Sequence, residues 1–246
     1  MKKILFLLPL FALTACDNAV ADAVKNIEKF ADSDLKDGKP ITADVASLDS
    51  FKDLSALGPD HVIFKTGEKF TVVATGDADA ISQLRYVIKD GTLKVGRVDS
   101  KGWKDNVATI TVTAPSLSGI SLAGSGDLTA DKLSGPEVAV RLAGSGDLKV
   151  AQIETDALKG SLAGSGNIDL AGKAKTANYS IAGSGDLNGA GLSAGDAKIS
   201  IAGSGNANLN ASGTVKASIA GSGDVNVTGG GKCETSTVGS GQVHCS

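Results

Sequence analysis

Aromatic side chains make up only 4% of this chain, and beyond Trp103 the one example is Tyr179. The second half therefore lacks the ring platforms on which sugars and bases usually stack, and any core there must be built from small and branched aliphatic groups. Positive charge is not in excess either, because Lys+Arg 24 stand against Asp+Glu 27. That balance supplies no basic stripe to displace counterions from a phosphate backbone, so nucleic acid is not an expected partner. Histidine is limited to His61 and His244, and cysteine to Cys16, Cys233 and Cys245. No zinc-type spacing can be drawn through them. Long apolar runs are also missing. The one candidate, residues 4–13, is too short to span a bilayer.

That short run has a different meaning at the start of the chain. Lys2 and Lys3 precede it, and Leu13-Thr14-Ala15-Cys16 follows it. A basic n-region, an apolar h-region and a small-residue site ending in Cys resemble the lipobox of bacterial lipoproteins. The resemblance implies a signal peptide of residues 1–15, cleavage before Cys16 and acylation of Cys16, with several acyl chains holding the protein firmly to a membrane. Loss of the leader leaves 22 basic and 27 acidic residues. Asp17 follows the lipidated position, which under the enterobacterial sorting rule favours the inner membrane. The expected address is the cell envelope, on the periplasmic face of the inner or outer membrane or on the cell surface. In that oxidising setting Cys233 and Cys245 form an even pair 12 residues apart. A disulfide is expected, contributing about 3 kcal/mol.

Residues 16–42 read as a tether. Val20, Val24, Ile27 and Phe30 fall at helical spacing, so a short amphipathic helix is open there until Asp37-Gly38-Lys39-Pro40 breaks it. From residue 43 to 116 the pattern is that of strands in a less regular β region. Apolar runs at 61–65 and 70–74 flank Thr66-Gly67-Glu68 like a hairpin, a short helix or turn covers 79–84, and Asp90-Gly91 marks a tight hairpin. Trp103, set among polar residues, reads as a lid over the solenoid end or a partner contact.

Glycine, by contrast, is abundant, and from residue 117 to 246 it is strictly placed. A small residue followed by Gly-Ser-Gly and then Asp or Asn begins at Ala123, Ala143, Ala163, Ala182, Ala202, Ala220 and Val238, the last copy ending in Gln242. Successive copies start 20, 20, 19, 20, 18 and 18 residues apart. Such a period denotes a solenoid, one repeat per turn. Two residues before the first Gly lies an apolar ladder from Leu122 to Ile219, and four and six residues after it lie two more from Leu128 and Ala130 onward. Spacing by two on both sides of the glycines describes two strands meeting at a corner, stacked about 4.8 Å apart. The expected fold is all-β, a parallel β-helix or β-solenoid of 18–20 residues per coil. The structural corners are Gly124 and Gly126, Gly144 and Gly146, Gly164 and Gly166, Gly183 and Gly185, Gly203 and Gly205, Gly221 and Gly223, and Gly239 and Gly241. Glycine is needed there for a sharp turn and for close approach of neighbouring coils. The differences in period place extra residues in the opposite connection, for example 131–136.

The repeated acid invites a calcium reading, but Asn167 and Asn206 interrupt the ladder of Asp127, Asp147, Asp186 and Asp224, and a hard cation wants several convergent oxygens. The corner serines lack a base within reach. No metal, cofactor or catalytic residue is expected, while a carboxylate pair across a groove stays open.

Residues 43–246 resemble the auto-transporter adhesin head GIN domain family of bacterial proteins. The resemblance rests on Phe51 with the strand at 61–65, the Lys89-Asp90-Gly91-Thr92-Leu93 hairpin, Ile110-Thr111-Val112 running to Ala114-Pro115, and the Gly-Ser-Gly-[Asp/Asn] repeats. It implies a solenoid-like domain on the bacterial envelope and no catalytic residues. No barrel-like translocator segment is present, so the chain reads as a lipid-anchored single domain. The expected function is non-enzymatic adhesion or protein interaction. The alternative is a carbohydrate-binding or carbohydrate-active solenoid.

Overall fold

The computed structural model describes residues 34–98 and 106–246. Cys16, the leader, the stretch from Val20 to Phe30 where a helix is open, and Trp103 lie outside these residues. The described part is almost entirely strand: β1 (Lys39–Pro40), β2 (Ala46–Ser47), β3 (Asp53–Gly58), β4 (His61–Thr66), β5 (Thr71–Gly76), β6 (Leu84–Lys89), β7 (Thr92–Arg97), β8 (Ala108–Ala114), β9 (Gly119–Gly124), β10 (Leu128–Ala130), β11 (Leu133–Gly144), β12 (Asp147–Gly164), β13 (Asn167–Gly183), β14 (Leu187–Gly203), β15 (Ala207–Ala211), β16 (Thr214–Gly221), β17 (Val225–Thr228), β18 (Lys232–Gly239) and β19 (Val243–Cys245). A 3-10 turn at Asp34–Asp37 and one helix, α1 (Ala78–Gln83), complete it. No helix among the described residues is long and apolar enough to cross a membrane.

The repeats wind into a parallel β-solenoid of about six turns. Each turn has a leading face ending at the first corner glycine, a trailing face after the corner, and a short third side. Coil-to-coil register is continuous. On the leading face Leu122, Leu142, Leu162, Ile181, Ile201, Ile219 and Thr237 pair in succession. On the trailing face Leu128, Leu148, Ile168, Leu187, Ala207, Val225 and Val243 do the same. All of these are buried except Thr237 and the half-buried Val243 of the final coil. Tyr179 takes a core position beside Gly160, where an added Cβ would meet its ring at 2.6 Å. Burial pushes its hydroxyl pKa well above the usual range. A large ring against a glycine on the next coil is how the one aromatic of this half fits a thin core.

Coil length varies at the bend between the trailing face and the third side. Register slips there, between Val150 and Ile153, Asp169 and Ala171, and Gly189 and Ser193. The extra residues expected at 131–136 are thus only partly placed: Asp131 and Lys132 occupy the bend, but Leu133 is buried and already belongs to β11. The core, not the exposed connection, claims that apolar side chain.

Strands β3, β4, β7 and β8 continue the same parallel stack, threaded out of order. β3 pairs in parallel with β9 on one side and β7 on the other, and β4 lies likewise between β10 and β8. Gly58 stacks on Gly124 with φ 105°. So β3 and β4 form a complete coil beneath the first recognised repeat, and β7 with β8 forms another beneath that. The expected hairpin between 61–65 and 70–74 is absent, because β8 stands between the two strands and bonds β4 in parallel and β5 antiparallel. The Asp90-Gly91 hairpin is present, joining β6 to β7 with Asp90 at φ 52° and Gly91 at φ 73°. β5 and β6 run antiparallel to β8 and β7 and close this end, with β2 and β1 beyond them. Closure removes the open edges a parallel stack would otherwise present.

At the other end Cys233 and Cys245 are bonded, clamping β18 to β19 across the last coil. Replacing both by Ser should lower stability by at most about 3 kcal/mol. Hydrogen exchange should show the loss in residues 232–246 first, while the strands from β9 to β16 keep their protection. Uniform loss along the rod would mean the bridge supports more than its own coil.

Candidate functional site

The corner ladder is the most regular feature of the surface, and its chemistry is directed inward. The first glycines have φ between 122° and 144°, a region that L side chains rarely adopt. The second glycines need their identity for space, since a Cβ on Gly146 or Gly205 would fall on the carbonyl oxygen of the coil before. The carbonyls of Gly124, Gly144, Gly164, Gly183 and Gly221 each accept two N–H groups from the next corner, as Gly183 does from Ser204 at 2.9 Å and Gly205 at 3.1 Å, and that of Gly203 accepts Ser222 N at 2.9 Å. The repeated acid or amide completes this net. Asp186 Oδ1 accepts from Asn206 N at 2.8 Å, Asn206 Oδ1 from Asp224 N at 3.0 Å, and Asp224 Oδ1 from Gln242 N at 2.8 Å. One oxygen of Asp127, Asp147, Asp186, Asn206 and Asp224 thus holds the following coil in register, an acceptor role that Asp and Asn fill alike. No group of three or more metal-ligating side chains occurs among the described residues.

His61 occupies the same file one coil earlier. It stands opposite the first Asp of the ladder, with Nδ1 3.1 Å from Asp127 Oδ2. His244 lies in β19, at the far end of the rod. The histidines are not brought together, and among the described residues neither is hydrogen-bonded to a corner serine. Among those serines, Ser240 donates to Ser222 at 3.0 Å, a hydroxyl link from coil to coil.

Next to this file on the trailing face runs a second one, Lys149, Asp169, Asn188, Asn208, Asn226 and His244. Asn188 Nδ2 donates to Asp169 at 2.9 Å, and Asn226 Nδ2 to Asn208 at 3.2 Å. The leading face differs. Its middle file is Ser161, Ser180, Ser200, Ser218 and Ser236, and the file beside it is Lys159, Asn178, Lys198, Lys216 and Glu234. Both faces are flat, polar and several coils long. A shallow depression lined by Asn178, Asp196, Lys198, Thr214, Lys216 and Glu234 indents the leading face.

One buried polar cluster was not foreseen from the sequence. Asp60, in the corner of the β3–β4 coil, takes Arg97 Nε at 2.8 Å and Nη2 at 2.6 Å, and also Ala108 N at 2.8 Å. Both side chains are buried, and Arg97 Nη2 also donates to the Asn106 carbonyl at 2.7 Å. Hydrogen bonding to Asp60 raises the Arg97 pKa further, against the effect of burial. The pair does for this irregular corner what the second glycine does elsewhere, fixing two coils together. The signal for the hidden coil was available: Ala56, Val62 and Phe64 stand two before, four after and six after Gly58, the spacing of the three apolar ladders.

Comparison with known proteins fits this architecture. The family model described as "Putative auto-transporter adhesin, head GIN domain" matches residues 50–231. Among solved structures the chain is similar to a putative adhesin from Bacteroides fragilis, with TM-score 0.75 and 22% identity over 84% of this chain and 100% of that one. A putative lipid binding protein from Parabacteroides distasonis gives TM-score 0.65 and 21% identity over 85% of this chain and 100% of that one. A putative adhesin from Parabacteroides merdae gives 0.64 and 24%, covering 82% and 95% respectively. At such identities these likenesses speak for the fold. No curated protein matches the chain. The family match takes in both the out-of-order coils and the corner ladder and ends at the residue before β18, and on that extent the chain belongs to the head GIN domain family so described.

Proposed function

We propose that this is a non-enzymatic lipoprotein of the bacterial envelope, anchored through Cys16, whose solenoid faces mediate adhesion or protein interaction. The observation that carries the reading is the pair of flat polar faces, each repeating one exposed side chain per coil over most of the rod. Contacts of that kind are individually weak and gain strength by repetition, which suits an attachment surface more than a catalytic centre. The family and two of the structural relatives carry the adhesin description. The leader pattern ending at Cys16 supplies the envelope address.

The test has two parts. Membrane fractionation of a Cys16→Ser variant should move the protein to the soluble fraction, and continued sedimentation with membranes would defeat the anchor. Cells displaying the wild-type protein should attach to an envelope or host surface more than cells lacking it. Lys198→Glu with Lys216→Glu should reduce that attachment by roughly tenfold without changing the melting temperature, as expected when surface charges act in recognition rather than folding. Equal attachment with and without the protein would overturn the adhesion reading. Selective capture of one polysaccharide on a glycan array would turn it toward the carbohydrate-binding alternative.

A further inference from the structure

The two flat faces carry opposite charge on a common lattice. On the trailing face, Asp147, Asp186 and Asp224 lie in one file with a single residue, Asn167 or Asn206, between each two. They are therefore two coils apart, about 9.6 Å at the ordinary strand spacing. On the leading face Lys159 and Lys198 are also two coils apart, with Asn178 between them, and Lys216 follows on the next coil.

The state of these side chains differs in a useful way. Each of the three aspartates has Oδ1 fixed by an N–H of the following coil: Asn167 N at 3.3 Å, Asn206 N at 2.8 Å and Gln242 N at 2.8 Å. Their Oδ2 atoms have no partner among the described residues, so each carboxylate is held in place by one oxygen and leaves the other to face a second surface. Lys198 makes no ion pair among the described residues. Lys159 and Lys216 reach Glu137 at 2.8 Å and Glu234 at 3.4 Å, exposed pairs that exchange partners at little cost. Beside the lysines the serine file, from Ser161 to Ser218, has no hydroxyl partner among the described residues and is small enough to admit a second surface closely.

We propose that the leading face of one copy docks on the trailing face of a second copy, lysines and serine hydroxyls meeting the outward carboxylate oxygens. This rests on the adhesion reading and names a partner for it. The occupant is another copy because its charges repeat at the same axial spacing, so that two or more pairs align at once where an unrelated surface would align one. The carboxylates are already ordered, which lowers the entropy lost on contact. The contact joins unlike faces, so each copy keeps one face of each kind free and association continues beyond a dimer, into a ring or a filament.

Sedimentation of the purified chain tests it. At about 50 mM salt the mean mass should rise with concentration past that of a dimer, and at about 500 mM, where screening is far stronger, it should fall to the monomer. Lys159→Glu with Lys198→Glu should weaken association at least tenfold. So should Asp147→Asn with Asp186→Asn and Asp224→Asn, a change the ladder tolerates because Asn already occupies positions 167 and 206. Each variant alone should be monomeric with an unchanged melting temperature. Mixed together they should form a 1:1 complex and nothing larger, since one supplies the aspartate face and the other the lysine face. Monomeric wild-type protein at low salt, salt-insensitive association, variants that associate like wild type, or a mixture that stays monomeric would each overturn the proposal. Variants that no longer self-associate but still attach to foreign surfaces would leave the adhesion reading standing. Self-association without any attachment would do the reverse.

Discussion

Gly203→Val should yield no folded protein. The corner places Gly203 at φ 132°, and any Cβ there would fall on the carbonyl oxygen of Gly183 in the coil before. Valine adds a branched side chain to a backbone region it does not adopt, and relief would require the two coils to separate. Separation would break the paired bonds by which the Gly183 carbonyl holds Ser204 N and Gly205 N. Backbone strain, lost hydrogen bonds and a gap between coils combine to more than about 4 kcal/mol, most or all of what holds an ordinary domain together. Inserting Gly-Ser between Ala190 and Gly191 is the contrasting case. Both residues are exposed at the bend where register already slips, and the next coil skips that stretch. The insertion should cost less than about 1 kcal/mol, since surface loops lengthen cheaply. Thermal melts and proteolysis of the two variants decide the matter. Similar behaviour would mean that the corners do not set the stack.

Asp60→Ala has the second largest effect, because it strands a guanidinium. The Arg97 side chain is fully buried, Nη1 has no partner among the described residues even with Asp60 in place, and removal of Asp60 also frees the bond to Ala108 N. Breaking a buried pair on one side costs about 3–5 kcal/mol. Replacing both partners by apolar residues, Asp60→Leu with Arg97→Met, should recover more than half of that loss in a denaturant titration. If single and double variants are equally unstable, the backbone bonds to Ala108 and Asn106 carry the effect instead of the uncompensated charge.

The repeat half was legible because its corners are written almost identically. Gly124 to Gly241 and the apolar residues at fixed offsets state the strand faces, the corner and the period directly. Coil order in the first half was not legible, for a physical reason. Gly58-Pro59-Asp60 fulfils the corner's geometric role with different chemistry: a buried ion pair reached through Arg97, 37 residues away, stands where a second glycine would be. Local pattern cannot reveal a partner at that separation. The hairpin expected around Gly67 failed for a related reason, since β8 enters between the two strands from 42 residues downstream of Thr66, where Ala108 begins it. On the surface, the Asp/Asn file was visible as a ladder, yet only the folded stack shows that one oxygen of each acid is bound to the backbone of the next coil.

The capped end and the repeating end have different evolutionary freedom. β3 and β4, made early in synthesis, are flanked on both sides by strands made later, so the N-terminal block closes only as a unit. Once closed, it exposes one finished coil, and every later coil needs nothing but its predecessor to fold upon. Duplication or loss of a 20-residue unit beyond β9 therefore changes the reach of the molecule in steps of one coil, about 4.8 Å, without disturbing what lies beneath. The domain behaves as an extensible arm with a fixed base, and its length is a trait that selection can adjust by copy number alone.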